Sequence, residues 1–425
     1  MSEAERGSGH GGANNGANNG ALRHIKVLDL SRVLAGPWAS QTLGDLGAEI
    51  IKIERPGTGD DTRAWGPPFV QDAEGHATGE SAYYMCANRN KQSVAVDFTQ
   101  PEGQALVQRL AAQCDVLVEN FKTGGLVQYG LDYPSLARIN PRLVYCSVTG
   151  FGQDGPYAHR AGYDFLIQGM GGLMSVTGKP DGEPGGGPVK VGVALTDILT
   201  GLYASTAILA ALQAREHTGR GQHIDLALLD VQVACLANQG MNYLYSGNVP
   251  QRMGNAHPNT VPYQDFPTAD GHMILAIGND GQFARFCNGA GTPEWAQDAR
   301  FMTNAARLAH RVELVAMIRA LTVTRTTKEW IALLEQHAVP CGPINTVQDV
   351  FDDPQVKARG MQRSMPHPQA GDVPIVASPI RLSDTPVAYR RAPPQLGQHT
   401  DDVLAKHLQM DEQELAHLRQ IGVLA

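Results

Sequence analysis

The chain has 425 residues, of which 42% are hydrophobic and 18% charged, and that balance predicts a globular protein with a sizeable core in two domains or one large elaborated one. A formal net charge of −8 excludes a general affinity for nucleic acid or for an anionic membrane, so any phosphate site must be a local basic cluster. Six cysteines without CxxC spacing predict reduced thiols in a cytoplasmic setting, and 14 histidines without HxxxH or HxH spacing offer no metal site.

Residues 1–21 are mostly Gly, Asn, Ser and Ala, with a near-repeat of Gly-Ala-Asn-Asn-Gly. They lack apolar side chains to bury, so a disordered tail is expected, with neither a secretory signal nor a transit peptide in it. Residues 25–30 read as a strand, 31–36 as a loop, and Pro37 suits the first turn of a helix ending by Gly44 or Gly47. Further strands are expected at 48–54, 93–98, 114–119 and 143–148, with a helix opening at Pro101. Alternating strands and helices predict an α/β domain, residues 22–215, built on an open, mostly parallel, Rossmann-like sheet. Ligands of such sheets bind beyond the carboxyl ends of the strands. A nicotinamide enzyme is not expected: Glu54 stands where a ribose-binding acid would, but the first strand–helix loop, Ser-Arg-Val-Leu-Ala-Gly-Pro, lacks GxGxxG.

Asp197 is the only charged residue between Lys190 and Arg215. The stretch after it reads as a buried helix, apolar almost all round, bounded too closely by charge to be a convincing membrane span. The bland reading makes Asp197 and Thr196 helix caps; the chemical one makes Asp197 a desolvated carboxylate, kept ionised by the helix N-terminus. Next come a strand and linker helix within 216–247, a long helix being expected over 229–244. A smaller α/β domain is expected at 248–340, with a hairpin turning at Ala269-Asp270-Gly271 and helices at 282–288, 311–321 and 327–337. Residues 341–425 read as an extended return linker and a C-terminal helix capped by Thr400, packing on the large domain.

Seven motifs recur in order across the chain: Leu-Ser-Arg-Val-Leu-Ala-Gly-Pro (30–37), Ile-Lys-Ile-Glu-Arg-Pro (51–56), Asn-Arg-Asn-Lys (88–91), Val-Glu-Asn-Phe (118–121), Arg-Ala-Gly-Tyr-Asp (160–164), Leu-Thr-Asp (195–197) and Leu-Gly-Gln-His-Thr-Asp (396–401). Together they resemble the class III CoA-transferases, which share a fold with α-methylacyl-CoA racemase. The resemblance implies a homodimer of interlocked rings that handles acyl-CoA and free carboxylic acids as substrates, with no permanently bound cofactor. It implies Asp197 as the catalytic nucleophile, forming aspartyl anhydride and aspartyl-CoA thioester intermediates. It carries CoA-binding roles to Arg32, Val33, Leu34, Ala35, Arg55, Val96, Asn120, Phe121, Tyr163 and Asp164. It makes Gly254, Asn255, Ala256 and His257 a mobile loop over the active site. Two family cations near the nucleotide and phosphates are replaced by Gln128 and Thr99, and Lys91, Arg89 or Lys122 is expected to compensate.

The racemase alternative needs two acid/base groups about one carbon, and the racemase histidine is replaced here by Tyr163, a phenol too weakly acidic to serve as a base at neutral pH. A non-catalytic acyl-CoA-binding protein would bind without turnover. The runs at 59–70, 232–236 and 261–264 resemble the succinyl-CoA:glutarate branch, which implies succinyl-CoA as donor and a short dicarboxylate as acceptor.

Overall fold

A computed structural model describes residues 19–425; the rest of the expected tail lies outside the described residues. Gly20 is already buried, where an added Cβ would meet the Leu46 carbonyl oxygen at 2.5 Å, so ordered chain begins before residue 22. Contacts divide the chain into two units. The first comprises residues up to Ile167, Ala194–Gln232 and Gly360–Ala425, and the second Gln168–Val193 and Val233–Arg359. The expected boundaries at 215, 247 and 340 therefore differ from the observed ones, because segments distant in sequence pack together.

The first unit is organised on six parallel strands: β1 Lys26–Asp29, β2 Glu49–Glu54, β3 Lys91–Ala95, β4 Val116–Glu119, β5 Val144–Thr149 and β6 His223–Ala227. Their order across the sheet is β3-β2-β1-β4-β5-β6. The central strands are apolar and buried on both faces, as parallel strands covered by helices must be. One face carries helix α1 (Ala35–Asp45) and helix α2 (Leu195–Thr218), joined through Val27, Ala39, Val116, Cys146, Ala204 and Ile208. Gly201 permits this packing: a Cβ there would lie 2.7 Å from the Ala35 carbonyl oxygen. The other face is covered in part by C-terminal residues, including Val403, Leu404, Leu415 and Leu418.

α2 is less enclosed than its composition predicts. Ala204, Ile208, Ala211 and Leu212 are buried, whereas Leu202, Tyr203 and Leu209 are exposed. Among the described residues it is the one helix long and apolar enough to cross a membrane, yet it packs on the sheet, and Arg215 in its last turn pairs with Asp115. Thr400 is the first residue of its helix, not the cap; its hydroxyl donates to the Gly397 carbonyl and accepts from the Ala95 N–H. A hairpin at Gln362–His367 and Gly371–Val376 stands where an extended arm was expected, burying Met365, Val373 and Ile375 against Tyr84 and Met85.

The second unit holds an antiparallel sheet of Tyr263–Pro267, His272–Ala276 and Cys341–Pro343, the last strand carrying this unit past the expected limit at 340. Its core includes Phe266, Phe283, Phe286, Trp330 and Leu334. The expected long helix over 229–244 is two, Leu228–Ala234 and Ala237–Ser246, and Ala237 has a left-handed φ of 47° at the break.

Candidate active site

The strand order reverses between β1 and β4, and the loops leaving those two strands form the walls of one crevice. The first loop is fixed from beneath by two fully buried lysines. Lys52 donates to the Ser31 carbonyl at 2.7 Å and to Asp60 at 2.9 Å. Lys91 donates to Asp29, Asn88 and the Pro37 carbonyl at 3.1, 2.9 and 3.0 Å. Asp60 also accepts the N–H of Val33 at 3.2 Å and so holds it at a φ of 72°, a left-handed conformation that β-branched residues avoid.

The second wall follows β4. Asn120 clamps the first loop, accepting the Arg32 N–H at 2.9 Å and donating to the Arg32 carbonyl at 2.6 Å. The Arg32 guanidinium lies 5.1 Å from the centre of the Phe121 ring and pairs with Asp61 at 3.3 Å.

The third wall comes from the chain after β5. Gly150 and Gly162 cross so closely that a Cβ on Gly150 would lie 2.5 Å from the Gly162 Cα. That crossing brings Asp164 to the start of α2, where its carboxylate accepts the N–H of Thr196 at 2.8 Å and of Asp197 at 3.3 Å. Asp164, not Asp197, therefore caps the helix. The Thr196 hydroxyl instead donates to Gln232 at 2.6 Å.

Asp197 occupies the third position of α2 and is 9% exposed. Burial, and then the like charge of Asp164, push its carboxyl up to about 7. The expectation that the helix N-terminus keeps this group ionised is overturned, because Asp164 has taken the amides that would have done so. Burial, and then the charge of Asp197, likewise push the Tyr83 phenol up to about 12, so a neutral tyrosine stands near the carboxyl.

A cavity of about 160 Å³ gathers Asp197 with Arg32, Val33, Leu34, Ala35, Asn120, Phe121 and Tyr163. It shares Arg32, Asp61, Phe121 and Lys122 with a larger groove of about 540 Å³ that holds Arg55, Val96, Thr99 and Gln128. Nine of the ten residues expected beside Asp197 thus line one continuous crevice; Asp164 acts behind it, as the helix cap. Tyr163 is 64% exposed, not core. Of the three cations expected to compensate for Gln128 and Thr99, only Lys122 lines the crevice. Lys91 is consumed by Asp29, and Arg89 pairs with Asp45, so neither has a charge to spare. Glu54 is likewise taken, by Arg63 at 2.8 Å, and is closed to a ribose hydroxyl.

Gly254, Asn255, Ala256 and His257 belong to the second unit. They form a turn whose His257 ring packs 5.2 Å from Tyr263 and whose Gly254 N–H donates to the Gly178 carbonyl at 3.0 Å. Among the described residues, no group of three His, Cys, Asp or Glu side chains is placed to hold a metal.

Sequence reading passed over Lys52 and Asp60, which hold the first loop, Gln232, which receives Thr196, and Arg160, which lines the Asp197 cavity. Lys52 carried a usable signal: a lysine amid Ile50, Ile51 and Ile53 in a buried strand needs an anionic partner.

The family model for CoA-transferase family III matches residues 22–400. The chain is 54% identical over 385 residues to a succinate–glutarate CoA-transferase of Agrobacterium fabrum, covering 91% of this chain and 95% of that protein. It is 44% identical over 403 residues to the human succinyl-CoA:glutarate CoA-transferase, covering 95% and 90% respectively. A crystal structure of a CaiB/BaiF family protein from Brucella suis superposes with a TM-score of 0.80 at 52% identity, covering 92% of this chain and all of that one.

Proposed function

The chain belongs to CoA-transferase family III, and from that membership we propose that it passes CoA from succinyl-CoA to glutarate with Asp197 as the covalent carrier. The observation that carries the reading is Asp197 itself. It is a buried carboxyl lining a crevice at the strand-order reversal, raised by burial and then by Asp164.

The steps follow from that group. An Asp197 oxygen attacks the succinyl thioester carbon, the carbon–sulfur bond breaks, and CoA leaves as the thiolate. The enzyme then holds a mixed anhydride. The thiolate attacks the Asp197 carbonyl carbon of that anhydride, releasing succinate and leaving an aspartyl-CoA thioester. A glutarate oxygen attacks this thioester and expels the thiolate, giving a second anhydride. Attack of the thiolate on its glutaryl carbon yields glutaryl-CoA and restores the Asp197 carboxylate. Each step exchanges one activated acyl group for another, so neither ATP nor a metal enters the balance. The protein's tasks are to retain the thiolate, exclude water from the anhydrides and stabilise each tetrahedral oxyanion.

In this reading the larger groove takes the nucleotide end of CoA. Arg55, Arg32 and Lys122 supply the charge that its phosphates require. CoA enters as a substrate, with no resident cofactor. The same reading includes an interlocked homodimer in the cytoplasm. The exposed Leu202, Tyr203 and Leu209 of α2 support cover by a second copy, since contiguous apolar surface favours burial.

Racemisation is less well supported, because the residues lining the Asp197 cavity include no histidine to serve as a second acid/base group. The test is a panel: succinyl-CoA as donor, a series of free acids as acceptors, and chromatography of the CoA esters. Glutarate should be the best acceptor, Asp197→Ala should abolish transfer, and hydroxylamine added during turnover should modify Asp197. Near-normal transfer by Asp197→Ala would sink the mechanism.

A further inference from the structure

We propose that Glu119 is a positioning residue for acyl-CoA: it holds the Asn120–Phe121 wall in the shape the substrate needs, and it rests on the CoA reading of the crevice given above. Glu119 ends β4, whose other residues, Val116, Leu117 and Val118, are apolar and buried. A carboxyl is an expensive choice at such a place. It is 5% exposed, no lysine or arginine among the described residues forms an ion pair with it, and burial pushes it up to about 7. For packing alone a leucine would serve better.

What the carboxyl adds is an acceptor aimed at the next turn. Its Oε2 accepts the Phe121 N–H at 2.8 Å, closing the backbone tightly around Asn120. That turn directs the Asn120 amide onto both backbone groups of Arg32, at 2.9 and 2.6 Å. It also directs the Phe121 ring toward the Arg32 guanidinium, 5.1 Å from the ring centre. Phe121 and Arg32 are two of the residues common to the Asp197 cavity and the larger groove. The junction between the two parts of the crevice therefore depends on a hydrogen bond made behind it.

The carboxyl is itself held. Ser147 on β5 stands opposite Glu119 in the strand register and favours its charged form, and the Ser147 hydroxyl lies 2.9 Å from Nε2 of His223 on β6. The His223 ring stacks on Tyr133 with centroids 5.0 Å apart. A chain of His223, Ser147 and Glu119 thus runs across three adjacent strands and ends at the Phe121 amide. It touches no part of Asp197, so it bears on how the substrate is held and not on the bonds that change.

Two substitutions separate this role from simple support of the fold. Glu119→Gln keeps a side-chain oxygen for the Phe121 N–H and should leave the KM for succinyl-CoA within about twofold of wild type. Glu119→Leu removes the acceptor and should raise that KM roughly tenfold, with kcat and the KM for glutarate nearly unchanged, as expected for one lost hydrogen bond expressed in binding. If Glu119→Leu does not fold, Ser147→Ala takes its place, and a rise of about threefold or more in the same KM is expected. Equal impairment by Gln and Leu, an unchanged KM in the folded Leu or Ala variant, or a loss confined to kcat would overturn the proposal. Asn120→Ala, measured in parallel, separates the two levels of inference. If it raises the KM for succinyl-CoA while Glu119→Leu does not, only the role of Glu119 fails. If Asn120→Ala also leaves that KM unchanged, the CoA reading of the crevice fails first.

Discussion

Replacing Asp197 with asparagine should make the protein more stable, and by an amount that depends on pH. The carboxyl rises from 3.8 in the unfolded chain to about 7 in the folded one. A folded-state pKa above the unfolded value means that the folded state binds the proton more tightly. The stability linked to that proton is fully present below pH 3.8 and is lost as pH rises through about 7. Taken over the whole interval, the loss is about 4 kcal/mol. Asparagine is close in shape and does not ionise, so it escapes this loss. Relative to wild type, Asp197→Asn should gain up to about 4 kcal/mol at pH 8, narrowing to about 2 kcal/mol at pH 5.5. The assay is equilibrium urea denaturation of both proteins at the two pH values, with CoA-transfer activity measured on the same preparations. The variant should be inactive and harder to unfold, the combination expected of a group retained for chemistry at the expense of stability. A gap that is absent, or that widens toward acid pH, would refute the reasoning.

The same carboxyl should set the pH dependence of catalysis. The kcat/KM for succinyl-CoA should climb with pH and level off above about 7; Asp164→Asn, which removes the like charge while keeping an oxygen for the helix amides, should move the climb toward acid, and a flat profile from pH 5.5 to 8.5 would contradict both. Arg55→Ala should raise the KM for acyl-CoA by roughly ten- to a hundredfold, with little effect on the acceptor's KM or on a donor truncated before the nucleotide; equal effects on full-length and truncated donors would make Arg55 structural. Lys91→Met should destabilise the fold by about 3–5 kcal/mol, because Asp29 is then left buried without its nearest cation; a denaturation midpoint equal to wild type would show that Lys52 alone suffices.

How much of this was legible in the sequence depends on whether the signal is local. Five of the six strands of the sheet are short apolar runs with nearby turn signals that read within two or three residues of where they lie, and the sixth, His223–Ala227, falls within the expected 216–247. Residue type and strand-end position sufficed, with the family resemblance, to gather Arg32, Asn120, Phe121, Tyr163 and Asp197. Partnership was not legible. Lys91 and Arg89 look like available cations until Asp29 and Asp45 are seen beside them, 62 and 44 residues away in the chain. The same holds for Asp164, which stands 33 residues before Asp197 and caps a helix whose own cap position, Ala194, offers no side-chain oxygen. Residues 168–193 read as part of the large domain because they lie between its elements in sequence, whereas their contacts belong with the other unit.

The relation between Asp164 and Asp197 shows how fold and proposed chemistry share one device. A helix start needs acceptors for its N–H groups, and a single well-placed carboxylate meets that need for two of them. Had Asp197 done the capping itself, its charge would have been spread over those amides and its basicity lowered. Because Asp164 does it instead, Asp197 keeps its oxygens toward the cavity and also feels a second negative charge nearby. With burial, the larger cause, the Asp164 charge raises its basicity above that of free carboxylates, whose unperturbed values lie near 4. A more basic carboxylate is the better nucleophile toward a thioester and the poorer leaving group from the anhydride. Expulsion of thiolate from the first tetrahedral intermediate therefore competes better with return to reactants than it would from an unperturbed aspartate. The helix cap and the reactivity of the carrier are in this sense one interaction, and Asp164→Asn probes both: its helix should remain, while the pH at which transfer sets in should fall.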